Sequence, residues 1–217
     1  MISKRIKFIA SLIDASDKVL DVGTDHALLP IYLVKNNITK VADGSDISSV
    51  VLENAQNNLI KYKMDSIINL FCSDGIKSVD ITKYNTLVIT GMGFHTIKDI
   101  LDNGNLDGIK KMIIQSNNNH EEFRKYINSI NYKIISDYYI FDKGKWYLVS
   151  LISKGKQMLS GIEYVCGLYN INNKEYYKYI IKKYKNILKN VPPMEQDKIK
   201  IQIEYFNKYL SKEKTED

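Results

Sequence analysis

An acid stands inside an apolar run near the start of the chain and is followed closely by a glycine. The run Lys18-Val-Leu-Asp-Val-Gly23 is typical of a buried strand that ends in a tight turn. A buried carboxylate is costly unless a cation or a hydrogen-bond donor faces it, so Asp21 indicates a polar or cationic ligand. Gly23 would let the backbone approach a bound molecule closely. The stretch predicts either a plain strand–turn–helix with Asp25 as the helix N-cap, or a ligand site.

Two more acids follow predicted strands in the same way. Residues 39–45 and 66–72 indicate a second and a third strand, and Asp46 and Asp74 come soon after them. In nucleotide-binding sheets, an acid about 20 residues beyond the glycine turn binds the ribose hydroxyls. Asp43 is a rival for that role, and either acid can also be an ordinary turn residue. The ordered series of a glycine and two acids, each just past a strand, favours a nucleoside-cofactor site.

Strand and helix patterns alternate through residue 153 and predict an α/β sheet. We predict helices from Ser3 to about 13, over 27–36, from after Asp46 to about 62 and over 119–129. Further strands are predicted over 86–90, 110–117, 132–141 and 145–153. The last two runs flank Lys143-Gly144, which indicates a β-hairpin. The sheet should therefore close with an antiparallel hairpin.

The C-terminal third has a different character. Apolar residues recur at spacings of four, three and four in two runs, which are Tyr177, Ile181, Tyr184, Leu188 and Ile199, Ile203, Phe206, Leu210. Pro192-Pro193 separates the runs and must break the helix, so we predict an antiparallel, coiled-coil-like helical hairpin. Residues 154–217 hold 13 lysines and 8 acids, which is +5 of the net +6. Tyr176 and Tyr179 interleave with lysines here, and this pattern favours phosphate binding over a merely solvated face.

Composition excludes several classes of protein. The 217 residues are enough for one α/β domain and a small appendage. The chain has no apolar run of membrane-span length and no leader pattern, so we expect a soluble, cytoplasmic protein. Cys72 and Cys166 lie far apart without a second nearby ligand, which predicts two buried thiols and no metal site.

Two loops complete the set of motifs. Gly91-Met-Gly-Phe-His95 follows the fourth strand, and its two glycines indicate backbone lying close to a ligand. The fifth strand ends at Gln115 and Asn117, whose amides could read a base edge, although loop polarity explains them nearly as well.

These motifs together resemble a known family. The acid-and-glycine turn, which lacks the G-x-G-x-x-G fingerprint, is similar to the first motif of class I S-adenosylmethionine-dependent methyltransferases. The chain further resembles the bacterial tRNA (adenine-22-N1)-methyltransferases, TrmK. The residues that carry this resemblance are Ser3-Lys-Arg5, Asp21-Val-Gly-Thr-Asp-His-Ala-Leu-Leu-Pro30, Ile89-Thr-Gly-Met-Gly93 and Ile114-Gln-Ser-Asn117. Three positions depart from the family pattern: Asp46 replaces Glu, Phe94 follows Gly-Met-Gly, and Ser116 replaces Pro.

The resemblance implies a fold, a cofactor and a substrate. It implies a Rossmann-like class I methyltransferase domain over residues 1–157 and a basic helical hairpin over 158–217 that contacts tRNA. The cofactor would be S-adenosylmethionine, with S-adenosylhomocysteine as the product and no metal. The implied cofactor residues are Asp21, Gly23, Asp46, Asp74, Gly75 and Gly91. The implied substrate residues are Arg5, Gly93, Phe94, Gln115, Asn117, Lys178, Lys182 and Lys185. We expect a monomer.

The implied reaction is methyl transfer from a sulfonium to N1 of adenosine 22. Many enzymes that methylate exocyclic amines carry Asn/Asp-Pro-Pro-Tyr/Phe after the fourth strand, and its absence here argues for a ring nitrogen. A ring nitrogen attacks through its own lone pair, so alignment matters more than a strong base. Asp25 is our candidate for stabilising the charge that develops on the base, and His26 and Met92 are the other candidates near the reacting atoms. His26 could equally be a structural residue at the helix start.

Two alternatives remain at this point. One is a non-catalytic RNA-binding protein with a methyltransferase fold, which would bind tRNA without consuming cofactor. The other is a small-molecule or protein methyltransferase with an incidentally basic tail, whose activity would survive deletion of residues 158–217.

Overall fold

A seven-stranded sheet forms the centre of the protein, and the computed structural model describes residues 2–212. Its strands are β1 (Lys18–Val22), β2 (Val41–Asp46), β3 (Leu70–Cys72), β4 (Thr86–Met92), β5 (Lys111–Ser116), β6 (Tyr132–Asp142) and β7 (Lys145–Lys154). They lie in the order β3-β2-β1-β4-β5-β7-β6. The first five strands are parallel, whereas β7 runs antiparallel to β5 and β6. The predicted sheet with a closing antiparallel hairpin is confirmed.

Eight α-helices surround the sheet in the described part of the chain. They are α1 (Lys4–Ala10), α2 (Leu28–Lys35), α3 (Ser49–Tyr62), α4 (Phe94–Asp102), α5 (His120–Ser129), α6 (Gly161–Cys166), α7 (Lys174–Ile187) and α8 (Pro193–Ser211). Two short 3₁₀ helices lie at Ile81–Lys83 and Ile171–Asn173. The sequence patterns did not predict α4 or α6. Within residues 2–212, none of these helices has the length and apolar character needed to cross a bilayer.

The central strands are buried on both faces. Neighbouring side chains of a strand point to opposite sides of the sheet. Leu87 and Ile89 of β4 therefore enter one core with α4 and α5, whereas Val88 enters the other with α1 and α2. Because these parallel strands are buried on both faces, their sequences are nearly continuous apolar runs.

The last two helices pack against each other and onto the β6–β7 hairpin. The rings of Tyr177 in α7 and Phe206 in α8 lie 5.8 Å apart. Pro192 is the N-cap of α8, so the proline pair breaks the helix as predicted. Of the two tyrosines that interleave with lysines, Tyr176 is buried, and its ring stacks 3.5 Å from that of Tyr139 in β6, so it is not open to phosphates. Tyr179 is 45% exposed.

Some boundaries differ from those predicted. β3 has only three residues because the preceding segment forms turns, in which Ile68 packs into the cluster around α3. β2 continues to Asp46, which is its last residue and does not lie in the following loop. Cys166 is buried as expected, but Cys72 is exposed because it ends a short edge strand.

Candidate active site

A cavity of about 540 Å³ opens where the central strands end. Because β1, β2 and β4 are parallel, their carboxyl ends meet at one edge of the sheet and bring distant residues together. The sequence-predicted residues that line this cavity are Arg5, Asp21, Gly23, Asp25, His26, Asp46, Gly91 and Met92. Sequence reasoning missed Ser3, Thr24 and Lys143 as lining residues. Thr24 could have been found, because a hydroxyl lies three positions beyond the buried acid.

The turn after β1 is strained and tightly held. The backbone N–H groups of Gly23 and Thr24 both donate to the carbonyl of Ser45, at 2.8 and 3.0 Å. Asp25 and Ala27 adopt left-handed backbone angles, with φ of 51° and 54°, which non-glycine residues rarely do. Such strain persists only where the surroundings impose it, and it is concentrated at functional sites.

The prediction that Asp25 caps the next helix is wrong. In the described structure α2 begins after Ala27, and this N-cap position makes no side-chain capping bond. The Asp25 carboxylate instead faces the cavity with its side chain 71% exposed, and one of its oxygens lies 3.7 Å from Nε2 of His26. The carboxylate is therefore available to a ligand.

Asp21 is the most perturbed group in the cavity. It is only 5% exposed, and its carboxylate accepts a 2.8 Å hydrogen bond from the Thr24 hydroxyl. The pKa of Asp21 is raised to about 7, chiefly by burial and also by the nearby charge of Asp46, against the lowering effect of the Thr24 hydrogen bond. A cation placed beside Asp21 would favour its ionised form. The site is thus suited to an ammonium group.

Asp46 is the acid that β2 presents to the cavity. One carboxylate oxygen accepts from the backbone N–H of Ser48 at 3.0 Å. Its rival, Asp43, is used within the fold: it accepts from the Tyr84 hydroxyl at 2.7 Å and from the Asn69 backbone at 2.7 Å. Of the two, only Asp46 lines the cavity. Asp46 is therefore the better candidate for binding a ribose.

Asp74 and Gly75 lie farther along the same edge. Within residues 2–212 the cavity lining does not include them. The Asp74 carboxylate is 58% exposed and pairs with Lys77 at 2.5 Å. Gly75 has a φ of +63°, and a Cβ there would approach Cγ1 of Ile100 to 3.0 Å. The structure therefore gives Gly75 a packing role and leaves the ligand role of Asp74 a prediction.

The loop after β4 is fixed by an amide network. Gly91 donates its N–H to Oε1 of Gln115 at 3.1 Å and accepts from Nδ2 of Asn117 at 2.8 Å. Arg5 also donates to Oε1 of Gln115, at 2.8 Å. Gln115 is fully buried, and its Nε2 donates to Asn117. The interpretation of Gln115 as a reader of a base edge is wrong, because its amide is already paired within the protein.

Phe94 does not present a ring to a ligand. It begins α4, is 6% exposed, and lies in the core with its ring centre 6.0 Å from that of Tyr126. Phe94 was predicted as a substrate residue, but its buried ring is not placed to stack a base. Gly93 is the N-cap of this helix, and Asn118 accepts from the Phe94 N–H at 2.9 Å. Asn118 was missed by sequence reasoning, and no local pattern indicated it.

The predicted lysines of the C-terminal hairpin lie together in a separate groove. Lys178, Lys182 and Lys185 line a depression of about 530 Å³ between α7 and α8, together with Lys189. Lys178 also pairs with Glu175 at 2.8 Å. Four ammonium groups along one groove produce a positive surface that suits a chain of phosphates.

We also looked for clustered side chains that could bind a metal ion. Among residues 2–212, no group of three or more histidine, cysteine or acidic side chains could hold a metal ion.

Comparisons with known proteins agree with this geometry. The sequence profile of the family described as "Methyltransferase domain" matches residues 2–150. The tRNA (adenine(22)-N(1))-methyltransferase of Bacillus subtilis is 28% identical over 156 residues, which cover 71% of this chain and 66% of that protein. The structure of M. capricolum TrmK with S-adenosyl-homocysteine is 32% identical, covers 97% of this chain and 98% of that one, and has a TM-score of 0.83. The B. subtilis TrmK structure, at 21% identity and a TM-score of 0.80, covers 97% of this chain and 99% of that one and supports the fold.

Proposed function

This chain belongs to the bacterial tRNA (adenine-22-N1)-methyltransferase family, and we propose that it methylates N1 of adenosine 22 in tRNA with S-adenosylmethionine. One observation carries the proposal. A single cavity at the carboxyl edge brings Asp21, Asp46, Gly23 and the Asp25-His26 pair together, although these residues come from different strands and turns. The M. capricolum relative was solved with the demethylated product of the same cofactor.

The residues present fit an adenosyl sulfonium. Asp21 would hold the methionyl ammonium, because burial leaves its carboxylate in need of a cation. Asp46 would accept from the ribose hydroxyls, and Gly23 would let the cofactor lie against the backbone. When bound, S-adenosylmethionine supplies an already activated methyl group. The protein's task is then to align the attacking nitrogen and to exclude water.

Asp25 is the residue that we assign to the base. Its exposed carboxylate lies in the cavity beside His26 and would stabilise the positive charge that develops on the adenine ring. N1 carries a free lone pair and no proton, so neither residue needs to act as a strong base. The adenine must leave its stack to reach the cavity, at a cost of about a few kcal/mol.

The first experiment tests the reaction and the role of Asp25 together. Purified full-length protein is incubated with unmodified tRNA and labelled S-adenosylmethionine, and the nucleosides are then analysed. We expect N1-methyladenosine at position 22 and none in a tRNA that lacks adenosine there. Asp25→Ala should lower kcat roughly 10-fold, a modest effect because the carboxylate is solvent-exposed. Asp107→Ala, an exposed acid before β5 at the opposite edge, is the control. A wild-type rate for Asp25→Ala would remove Asp25 from the mechanism.

We also propose a division of labour along the chain. Residues 1–157 would carry out methyl transfer. Residues 158–217 would bind the tRNA through the lysine groove, which is the depression lined by Lys178, Lys182, Lys185 and Lys189. We also propose that the protein is a monomer and that it is cytoplasmic, a location that a tRNA substrate supports.

The lysine groove makes a prediction about salt. Replacing Lys182 and Lys185 with Glu should weaken tRNA binding by at least about 10-fold at moderate salt and should flatten the dependence of log Kd on log salt by about 1.8, as for two lost phosphate contacts. Lys40→Glu with Lys110→Glu makes the same charge change at the amino edge of the sheet and serves as the control. Binding would be measured by filter retention over a salt series. Equal slopes in the two double variants would place the tRNA elsewhere.

A further inference from the structure

A second cavity, of about 510 Å³, opens beside the first where β5 ends and β7 begins. Ser116, the last residue of β5, pairs with Leu148 of β7, and both line this cavity. Arg5 and Gly91 line both cavities, so the two share a wall. A ligand in the second cavity would therefore lie next to the proposed site of methyl transfer.

Flat, cationic surfaces surround this cavity. Trp146 and Tyr147 both line the cavity, but they are adjacent on β7, so their rings lie on opposite faces of the sheet. The Trp146 ring packs against Phe141 and Tyr176, with ring centres 5.2 and 5.5 Å away, which leaves Tyr147 as the ring that can stack a ligand. The Arg5 guanidinium lies 4.6 Å from the centre of the Tyr147 ring and is held there by its bond to Gln115. Lys145 is exposed at the rim, and none of the lining residues is acidic. Rings and a guanidinium plane stack bases, and a lysine binds phosphate.

His120 adds an acceptor to the same wall. Its Nε2 lies 3.2 Å from the Ser116 carbonyl oxygen, so the N–H is on Nε2 and donates to that carbonyl. Burial, aided by the charge of Arg124, lowers the pKa of His120 to about 4, and the ring is therefore neutral at physiological pH. Nδ1 is then an unprotonated acceptor that could receive a hydrogen bond from an exocyclic amine.

We propose that the second cavity holds the unstacked adenosine of the RNA, its base against Tyr147 and its phosphate at Lys145. This proposal rests on the proposed function, because it takes RNA as the substrate. It replaces Phe94, whose ring is buried in the core, with Tyr147 of the closing hairpin. The shared wall places this base beside the Asp25 cavity, where the cofactor methyl is expected.

Tyr147→Leu tests the stacking wall. We expect kcat/KM for tRNA to fall about 10-fold, as for the loss of one base–aromatic stack, while the Kd for S-adenosylmethionine stays unchanged. Tyr62→Leu is a matched control, because Tyr62 is a partly exposed ring with the Lys35 ammonium 4.9 Å from its centre, far along the chain on α3. If both variants lost activity equally, or if Tyr147→Leu weakened cofactor binding instead, the proposal would be overturned.

Trp146 supplies a readout that does not depend on turnover. It is the only tryptophan in the chain and lines this cavity, so all indole emission comes from a residue at its edge. With S-adenosylhomocysteine present, tRNA should quench the emission more strongly than the same tRNA with an abasic residue at position 22. Equal quenching would refute the assignment of the cavity. Quenching that depends on the base, without any N1-methyladenosine formed by the wild-type protein, would support the nucleotide site and refute the proposed methylation.

Discussion

Gly23→Ala should weaken S-adenosylmethionine binding about 100-fold, because two separate costs meet at this residue. Gly23 has a φ of +71°, and an L-residue in that left-handed region costs about 1–2 kcal/mol. A Cβ at this position would lie 2.2 Å from Cε of Met92, which is far too close for a real contact. Cε is the free end of a flexible side chain, so Met92 can swing away at little cost in itself. Because the core behind it is packed, its methyl group would enter the cavity and take up space that the cofactor needs.

A matched control shows the effect of backbone strain away from the cavity, without a displaced side chain. Gly108 has a φ of +91°, but a Cβ there would meet only the Tyr84 carbonyl oxygen, at 3.8 Å. Gly108→Ala should therefore share the backbone strain and a lowered melting temperature, yet bind the cofactor as the wild type does. Calorimetry with S-adenosylmethionine measures the difference.

The double variant Gly23→Ala with Met92→Ala tests the steric part directly. Shortening Met92 removes the atom that a new Cβ would strike, so we expect part of the lost affinity to return. Wild-type affinity in the single variant Gly23→Ala would contradict the whole argument, since the cofactor would then not lie against this turn.

Sequence reasoning located the first cavity because the relevant signals are local. Asp21, Gly23 and Asp46 each mark the end of a strand, and in a parallel sheet those ends meet at one edge whatever the details of packing. Their convergence on one cavity therefore followed from chain order alone. The length of β3 was overestimated because the buried Ile68 looks like a strand residue, although it lies in the irregular segment before β3.

The sequence predictions failed mainly at residues whose contacts are made by parts of the chain that are distant in sequence. Gln115 looks like a free amide until Arg5, 110 residues away, is seen to occupy its oxygen. Phe94 was misread although a local signal existed: Phe94, Ile97 and Leu101 follow helical spacing and are all buried. The two glycines before Phe94 drew attention to a loop and away from the helix that begins there. Trp146 and Tyr147 were passed over because a hairpin strand rich in aromatic residues is ordinary in any sheet.

Arg124→Met should give the largest loss of stability, about 3–5 kcal/mol, because it leaves a buried carboxylate without its partner. Arg124 and Asp137 are both fully buried and pair at 2.9 Å. Arg124 also donates to the carbonyls of Tyr164 and Val165 at 3.0 and 3.2 Å. The residue thus joins α5 and β6 to the end of α6, where the C-terminal helices begin.

Gly167 packs closely against the Arg124–Asp137 ion pair. A Cβ on Gly167 would lie 2.4 Å from an Asp137 carboxylate oxygen, so the chain leaving α6 runs directly over the ion pair. Loss of Arg124 should therefore weaken the packing of α6–α8 on the sheet as well as lower the global free energy of unfolding. Limited proteolysis should cut Arg124→Met first within residues 155–170. The affinity for tRNA should also fall, because the lysine groove lies on these helices.

Lys125→Met is the control, since Lys125 is the next residue and forms an exposed pair with Glu121 at 2.6 Å. Exposed pairs contribute about 0–1 kcal/mol, so this variant should unfold in urea close to the wild type. Adding Asp137→Asn to Arg124→Met removes the stranded charge and should recover part of the lost free energy of unfolding. If Arg124→Met unfolded at the same urea concentration as Lys125→Met, the buried pair would not be what fastens the C-terminal helices to the sheet.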